Sequence, residues 1–233
     1  MKEFALQLNI SLEGSEPLIW RRVVVNANIG LEDFHYIIQT VMPWDDSHMH
    51  KFYNKAQTYM MPYEESSFPE EQRQIEAYER AVLGDILKRK RQRLKYEYDF
   101  GDCWVHNIVV ESTTLPPIED ERDAIFIDGE NAAPPEDCGG IWGYERLIEI
   151  LSDPTHSEYE EMAEWLCLED GESFDPTDMG FTAEEFNERL NDSDTLDDEV
   201  LITLQDLLED DDIFDFIDEE MLERVKQEEK RRN

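Results

Sequence analysis

The side chains best suited to chemistry are His48, His50, Asp99, Asp102, His106 and Cys138. On an extended strand, His48-Met49-His50 points both imidazoles to one side, as a pair of metal ligands requires. With His106 they make the candidate metal set, suited to zinc or a similar divalent ion, and a nearby carboxylate can ligate or orient a ligating imidazole. Such a centre would serve a metal-dependent enzyme of hydrolase type. A broader candidate cluster is Asp99, Asp102, Trp104, His106 and Cys138, five residues of reactive or aromatic type around one turn and one loop. The competing expectation is structural: the two aspartates hydrogen-bond their own turn, Trp104 anchors a core, and Arg21 or Arg22 pairs with a buried Asp. A nucleophilic cysteine needs a base and electropositive surroundings, whereas Glu136-Asp137 before Cys138 raise its pKa and predict an inert thiol. Asp99-Phe100-Gly101 lacks the Gly-rich loop, strand lysine and catalytic loop of a kinase.

The elements that must position these residues follow from periodicity. Tyr96, Tyr98 and Phe100 alternate with Glu97 and Asp99, and Asp102, Trp104 and His106 share a face beyond a Gly101-Asp102 reversal, so two strands are expected around residues 96–108. Phe4, Leu6, Leu8, Ile10 and Leu12 alternate with polar residues, and Leu18–Val25 returns as a hairpin partner that puts one of Arg21 and Arg22 on each face. Leu31, Phe34, Ile38 and Val41 fall on one helical stripe that includes His35, with Glu32 and Asp33 in the first turn and Pro43 beyond the end. A strand over 48–53, a helix near 75–87, a continued strand over 105–115 and a short strand at 124–127 come next. Helices marked by Tyr144 to Leu151 and by Tyr159 to Leu166 follow. Lys88–Lys95 is the basic cluster, expected to be a solvated helix end. Thr182-Ala183-Glu184-Glu185 is a capping box, with Phe181 and Phe186 in the flanking staple positions. The expectation is an α+β fold: a mixed sheet starting with a hairpin-helix-strand, β-grasp-like unit, and a C-terminal helical layer.

Charge narrows the function. Asp+Glu number 58 against 21 Lys+Arg, a net −37, which repels phosphate backbones and anionic membranes and favours a protein partner of basic character. Residues 191–233 carry 17 acids and 5 bases, hence −12, leaving −25 for residues 1–190. The expected organisation is therefore a domain over 1–190 and an acidic, helical extension over 191–233. An acidic chain could also imitate DNA toward a basic nuclease or recombinase. Cys103, Cys138 and Cys167 are unpaired in spacing, which fits a reducing cytoplasm. No apolar run approaches a membrane span.

Ordered motifs then support a resemblance. Pro17-x-Ile19-Trp20-Arg21-Arg22, Leu31-x-x-Phe34-His35, Met42-Pro43-Trp44, Ser47-His48-x-His50-x-Phe52 and Tyr98-Asp99-Phe100-Gly101-Asp102-x-Trp104-x-His106 come first. Pro134-Pro135-Glu136-Asp137-Cys138-Gly139-Gly140, Gly143-Tyr144, Phe174-Asp175-Pro176 and Asn187-x-x-Leu190 complete the order. Over residues 3–190 the chain resembles the plasmid pRi ORF-three-like family, whose members also occur as TnpR-type passenger proteins of insertion sequences. The family commonly has Gly before the Trp, where Pro43 stands here. The resemblance implies an intracellular α+β domain linked with plasmids and mobile elements and no defined activity. An interaction or accessory module is the expected role, ahead of an enzyme.

Overall fold

The computed structural model describes residues 4–63, 68–118, 124–169 and 172–189. The acidic extension expected over 191–233 lies outside the described residues. Seven strands form one sheet in the order β4-β3-β5-β6-β1-β2-β7. They are β1 (Ala5–Leu12), β2 (Trp20–Asn26), β3 (His50–Tyr53), β4 (Thr58–Met60), β5 (Arg93–Tyr98), β6 (Trp104–Leu115) and β7 (Ala124–Glu130). The helices are α1 (Leu31–Val41), α2 (Pro69–Glu79), α3 (Leu83–Ile86), α4 (Gly140–Leu151), α5 (Tyr159–Trp165) and α6 (Ala183–Arg189).

The α+β class and the order hairpin, helix, strand hold. The sheet, however, is antiparallel at every pairing, not mixed. β3 pairs with β5 rather than returning beside the first hairpin, so β1 takes β6 as its second neighbour. Short turns join β3 to β4 and β5 to β6, and such connections permit only antiparallel neighbours.

One sheet face carries the core. Leu6, Leu8, Ile10 and Leu12 of β1 and Trp104, His106, Ile108 and Val110 of β6 are fully buried, while Gln7, Asn9, Ser11 and Asn107 between them face outward. That alternation is the period-two pattern read from the sequence. Phe34 and Ile38 of α1 are fully buried, and the Phe34 ring stacks on Phe52 of β3 at 5.7 Å. Asp33 accepts from the Gly30 amide, so an acid in the first turn also closes that helix end. On the outer face Lys51 pairs with Glu97 at 2.8 Å, and Arg22 with Glu111 at 2.7 Å.

Two local expectations change and a third holds. The helix near 75–87 divides into α2 and α3, because Val82 bridges Gly30, and Leu83 and Gly84 donate to the carbonyls of Ile29 and Ala27. Gly84 lies so close to Ala27 that an added Cβ would stand 2.8 Å from its carbonyl oxygen. Lys88–Lys95 is a turn leading into β5 rather than a helix end: Leu94 and Tyr96 enter the core at period two, and Lys95 bonds Glu13 across the outer face. The staple is present, with the Phe181 and Phe186 rings 5.4 Å apart and the Phe186 amide donating to Thr182.

Candidate functional site

Three loops meet over one end of the sheet's covered face: residues 42–49 after α1, 99–103 between β5 and β6, and 131–139 before α4. β5 ends at Tyr98, so Phe100 is not a strand residue but half-exposed on the turn. The reversal uses Asp99 and Cys103, both at positive φ, with the Gly101 amide donating to Asp99 Oδ1 at 2.8 Å. The turn aspartate thus binds its own backbone, as its residue type favours. Asp102 lies in the turn and not on the strand face with Trp104 and His106; its carboxylate accepts from the Gly139 amide at 3.0 Å.

Glu136 fastens the third loop to the others. It accepts from Tyr98 Oη at 2.6 Å, Ser47 Oγ at 2.8 Å and the Asp45 amide at 3.1 Å. Trp44 donates its indole N–H to the Pro134 carbonyl at 2.8 Å and stacks on Tyr98 at 5.1 Å. Gly140 and Gly143 permit the approach of α4: added Cβ atoms would meet the Asp102 carbonyl oxygen at 2.6 Å and that of Cys138 at 1.7 Å. Among the described residues, six of the eight non-glycine positions with positive φ lie on these loops: Pro43, Asp46, Asp99, Cys103, Asn131 and Asp137. Backbone held this way costs on the order of 1–3 kcal/mol per residue and persists where the surroundings fix it.

The three predicted histidines occupy three different environments. β3 begins at His50, so His48 belongs to the loop and does not share a strand face with His50. His48 Nε2 lies 3.2 Å from Asp137 Oδ1 without making a hydrogen bond, and Nδ1 lies 3.9 Å from Asp99 Oδ1. His50 is buried, donates to or accepts from Tyr78 Oη at 2.9 Å through Nε2, and leaves Nδ1 without a partner. Fully buried His106 packs on Trp44 and Tyr96, with Nδ1 3.2 Å from the Trp104 carbonyl.

The sequence reading placed His35 on the helical stripe without giving it a role. Its ring lies face to face with His50 at 3.6 Å and 9°, bonds Tyr96 Oη through Nδ1 at 2.7 Å and bonds Asp46 Oδ1 through Nε2 at 2.7 Å. Donor atoms of His35, Asp46 and His50 lie within 4.8 Å of one another. Parallel rings, however, direct their in-plane lone pairs side by side instead of toward one point, and both His35 nitrogens are engaged. This cluster suits a hydrogen-bond network better than a metal. Burial lowers the pKa of both rings, that of His50 to about 3 with His35 adding to the effect, and Asp46 partly opposes the shift at His35. Burial also holds His106 at about 3.

Among the described residues neither arginine meets a buried Asp. Arg21, fully buried, donates to the carbonyls of Val41, Trp20, Glu130 and Asn131 at 2.8–3.0 Å, tying the end of α1 to β2 and the start of the third loop. Its acid-paired neighbour is Arg22, with Glu111. The Cys138 thiol is pushed up to about 12, first by burial and then by Asp102 and Asp137, which removes the thiolate a nucleophile needs. The sequence reading missed Asp137 as a partner of His48; the signal was its place beside Glu136 in a Pro-Pro to Gly-Gly loop.

Comparison with known proteins gives the chain its relatives. An uncharacterised protein, y4hQ, of Sinorhizobium fredii is 34% identical over 169 residues, covering 72% of this chain and 84% of the relative. A crystal structure of a protein of unknown function from Methanosarcina mazei Go1 superposes with a TM-score of 0.61 at 35% identity, covering 76% of this chain and 97% of the other. Residues 4–187 match the plasmid pRiA4b ORF-3-like protein family, a span that contains all three loops and the seven strands that carry them. The chain therefore belongs to the plasmid pRiA4b ORF-3-like family.

Proposed function

We propose that this chain is a protein-interaction module, working in the cytoplasm as an accessory to a plasmid or mobile element, that docks a basic partner on the α4–α5 surface. The observation that carries the reading is Trp142, 82% exposed on the first turn of α4. A large indole left in water is unfavourable for an isolated surface and typical of an interface anchor. Trp142, Glu145 and Glu149 stand at i, i+3 and i+7, which places them on one stripe of α4, and all three are exposed. On α5, Glu161 and Trp165 stand at i and i+4, with Trp165 44% exposed. Indoles beside glutamates fit a partner segment that mixes Lys or Arg with apolar residues: the rings take the side-chain stems and the carboxylates the charges. The overall charge of −37 would speed such an encounter and repel nucleic acid.

Among the described residues no helix is long and apolar enough to cross a membrane, and all three cysteines are free, which supports a reducing compartment. The reading is tested by proximity labelling in the host with the native chain and its Trp142→Ala variant. A basic protein enriched with the native chain and lost with the variant is expected; an identical labelled set would refute it.

A further inference from the structure

We propose that His48, Asp99 and Asp137 form a binding site for one first-row divalent cation, a property independent of docking at α4–α5. One donor atom from each lies within 4.8 Å of the others; His48 Nε2 stands 3.2 Å from Asp137 Oδ1, and the other ring nitrogen, Nδ1, 3.9 Å from Asp99 Oδ1. Donors about 2.1 Å from a shared ion stand roughly 3–3.5 Å apart, so Nε2 and Asp137 already have that spacing, and the Asp99 carboxylate closes on them by a small side-chain shift. One imidazole and two carboxylates are a mixed donor set of the kind that takes manganese, iron or zinc, and three protein ligands leave positions for water.

The site is held from outside itself. Asp99 is buried, and its backbone at φ 54° is fixed by the Gly101 amide on its own carboxylate. Asp137, at φ 58°, is flanked by Glu136, which takes three hydrogen bonds, and by Gly139, whose amide is taken by Asp102. The loop is thus fastened at the residue before Asp137 and at the second residue after it, and the Asp137 carboxylate is aimed at His48. His48 Nε2 is shielded from solvent and makes no hydrogen bond, although a carboxylate oxygen stands within reach. A nitrogen so placed wants a cation between it and the oxygens. The His35, Asp46 and His50 cluster offers no such point, since its rings are stacked in parallel.

The test is calorimetric titration of the untagged full-length chain, stripped with chelator, with manganese chloride and separately with zinc chloride at physiological ionic strength. One saturable site per chain is expected for at least one of the two ions. His48→Ala and Asp137→Asn should each weaken it tenfold or more. Asp45→Asn, which removes an exposed carboxylate of the same loop, should leave it unchanged. Asp137 is 73% exposed, so its amide variant keeps the fold. Absence of saturable binding for both ions would overturn the proposal. Equal weakening by Asp45→Asn and Asp137→Asn, the behaviour of a diffuse acidic surface, would overturn it too.

Discussion

Acid should destabilise this domain through two buried imidazoles well before the pH reaches the usual carboxylate range. His50 is 3% exposed and stacked on His35, and His106 is fully buried. Each is held at about 3 in the folded chain, because burial strips the hydration that a protonated ring needs. In the unfolded chain both titrate near 6.5. Between those values the unfolded state binds more protons, so stability is fully present above about pH 6.5 and is lost as the pH falls toward 3. A pH of about 5 lies about 1.5 units below the free value and still above the folded one, so the loss there is about 2 kcal/mol per histidine and about 4 kcal/mol for the pair. Urea unfolding of the chain from about pH 7 to about pH 5 measures the slope, and the His106→Gln variant isolates one ring from the carboxylates of this acidic chain. The variant should lose about 1.4 kcal/mol per pH unit of the native slope. An unchanged slope would mean that His106 takes up its proton without unfolding the domain, and would refute the reasoning.

Other perturbations separate the elements of the site. Arg21→Lys replaces a planar fork bonded to four carbonyls with a single ammonium, and urea unfolding should show a loss of about 3 kcal/mol. Gly143→Ala places a methyl group 1.7 Å from the Cys138 carbonyl oxygen, so the third loop must leave α4; a loss of about 4 kcal/mol or more is expected by the same assay. With a thiol-reactive reagent under native conditions, exposed Cys103 and Cys167 should react in a fast phase and Cys138 only after unfolding, because burial holds its thiol at about 12.

The strands and the helix stripes were legible because burial alternates with the backbone period. Leu6 to Leu12, Tyr96 with Tyr98, and the α1 stripe are one-dimensional signals of a two-layer fold, whereas Leu94 was hidden in the basic run before them. Sheet order was not, since β3 pairing with β5 depends on contacts distant in sequence. His-x-His read as a ligand pair failed for a local reason: the strand starts at His50, so the alternation that would align the two rings does not reach His48. Arg21 looked like an acid's partner because a charge usually has one, yet its geometry is satisfied by carbonyls that converge only after folding. The loop over 134–140 was recognisable from its prolines and glycines. That Asp137 meets His48 was not, because nothing in the spacing of the two segments encodes their contact.

The most direct measurement is a photo-cross-linking amino acid placed at Trp142 in the full-length chain expressed in its host, with the same group at Phe68, 68% exposed elsewhere, as control. The account predicts a discrete adduct from position 142 to a basic protein, absent from position 68 and lost when Glu145 and Glu149 are both replaced by Lys. Adducts that are the same from both positions, or that survive the charge reversal, would contradict a docking surface on α4 and α5.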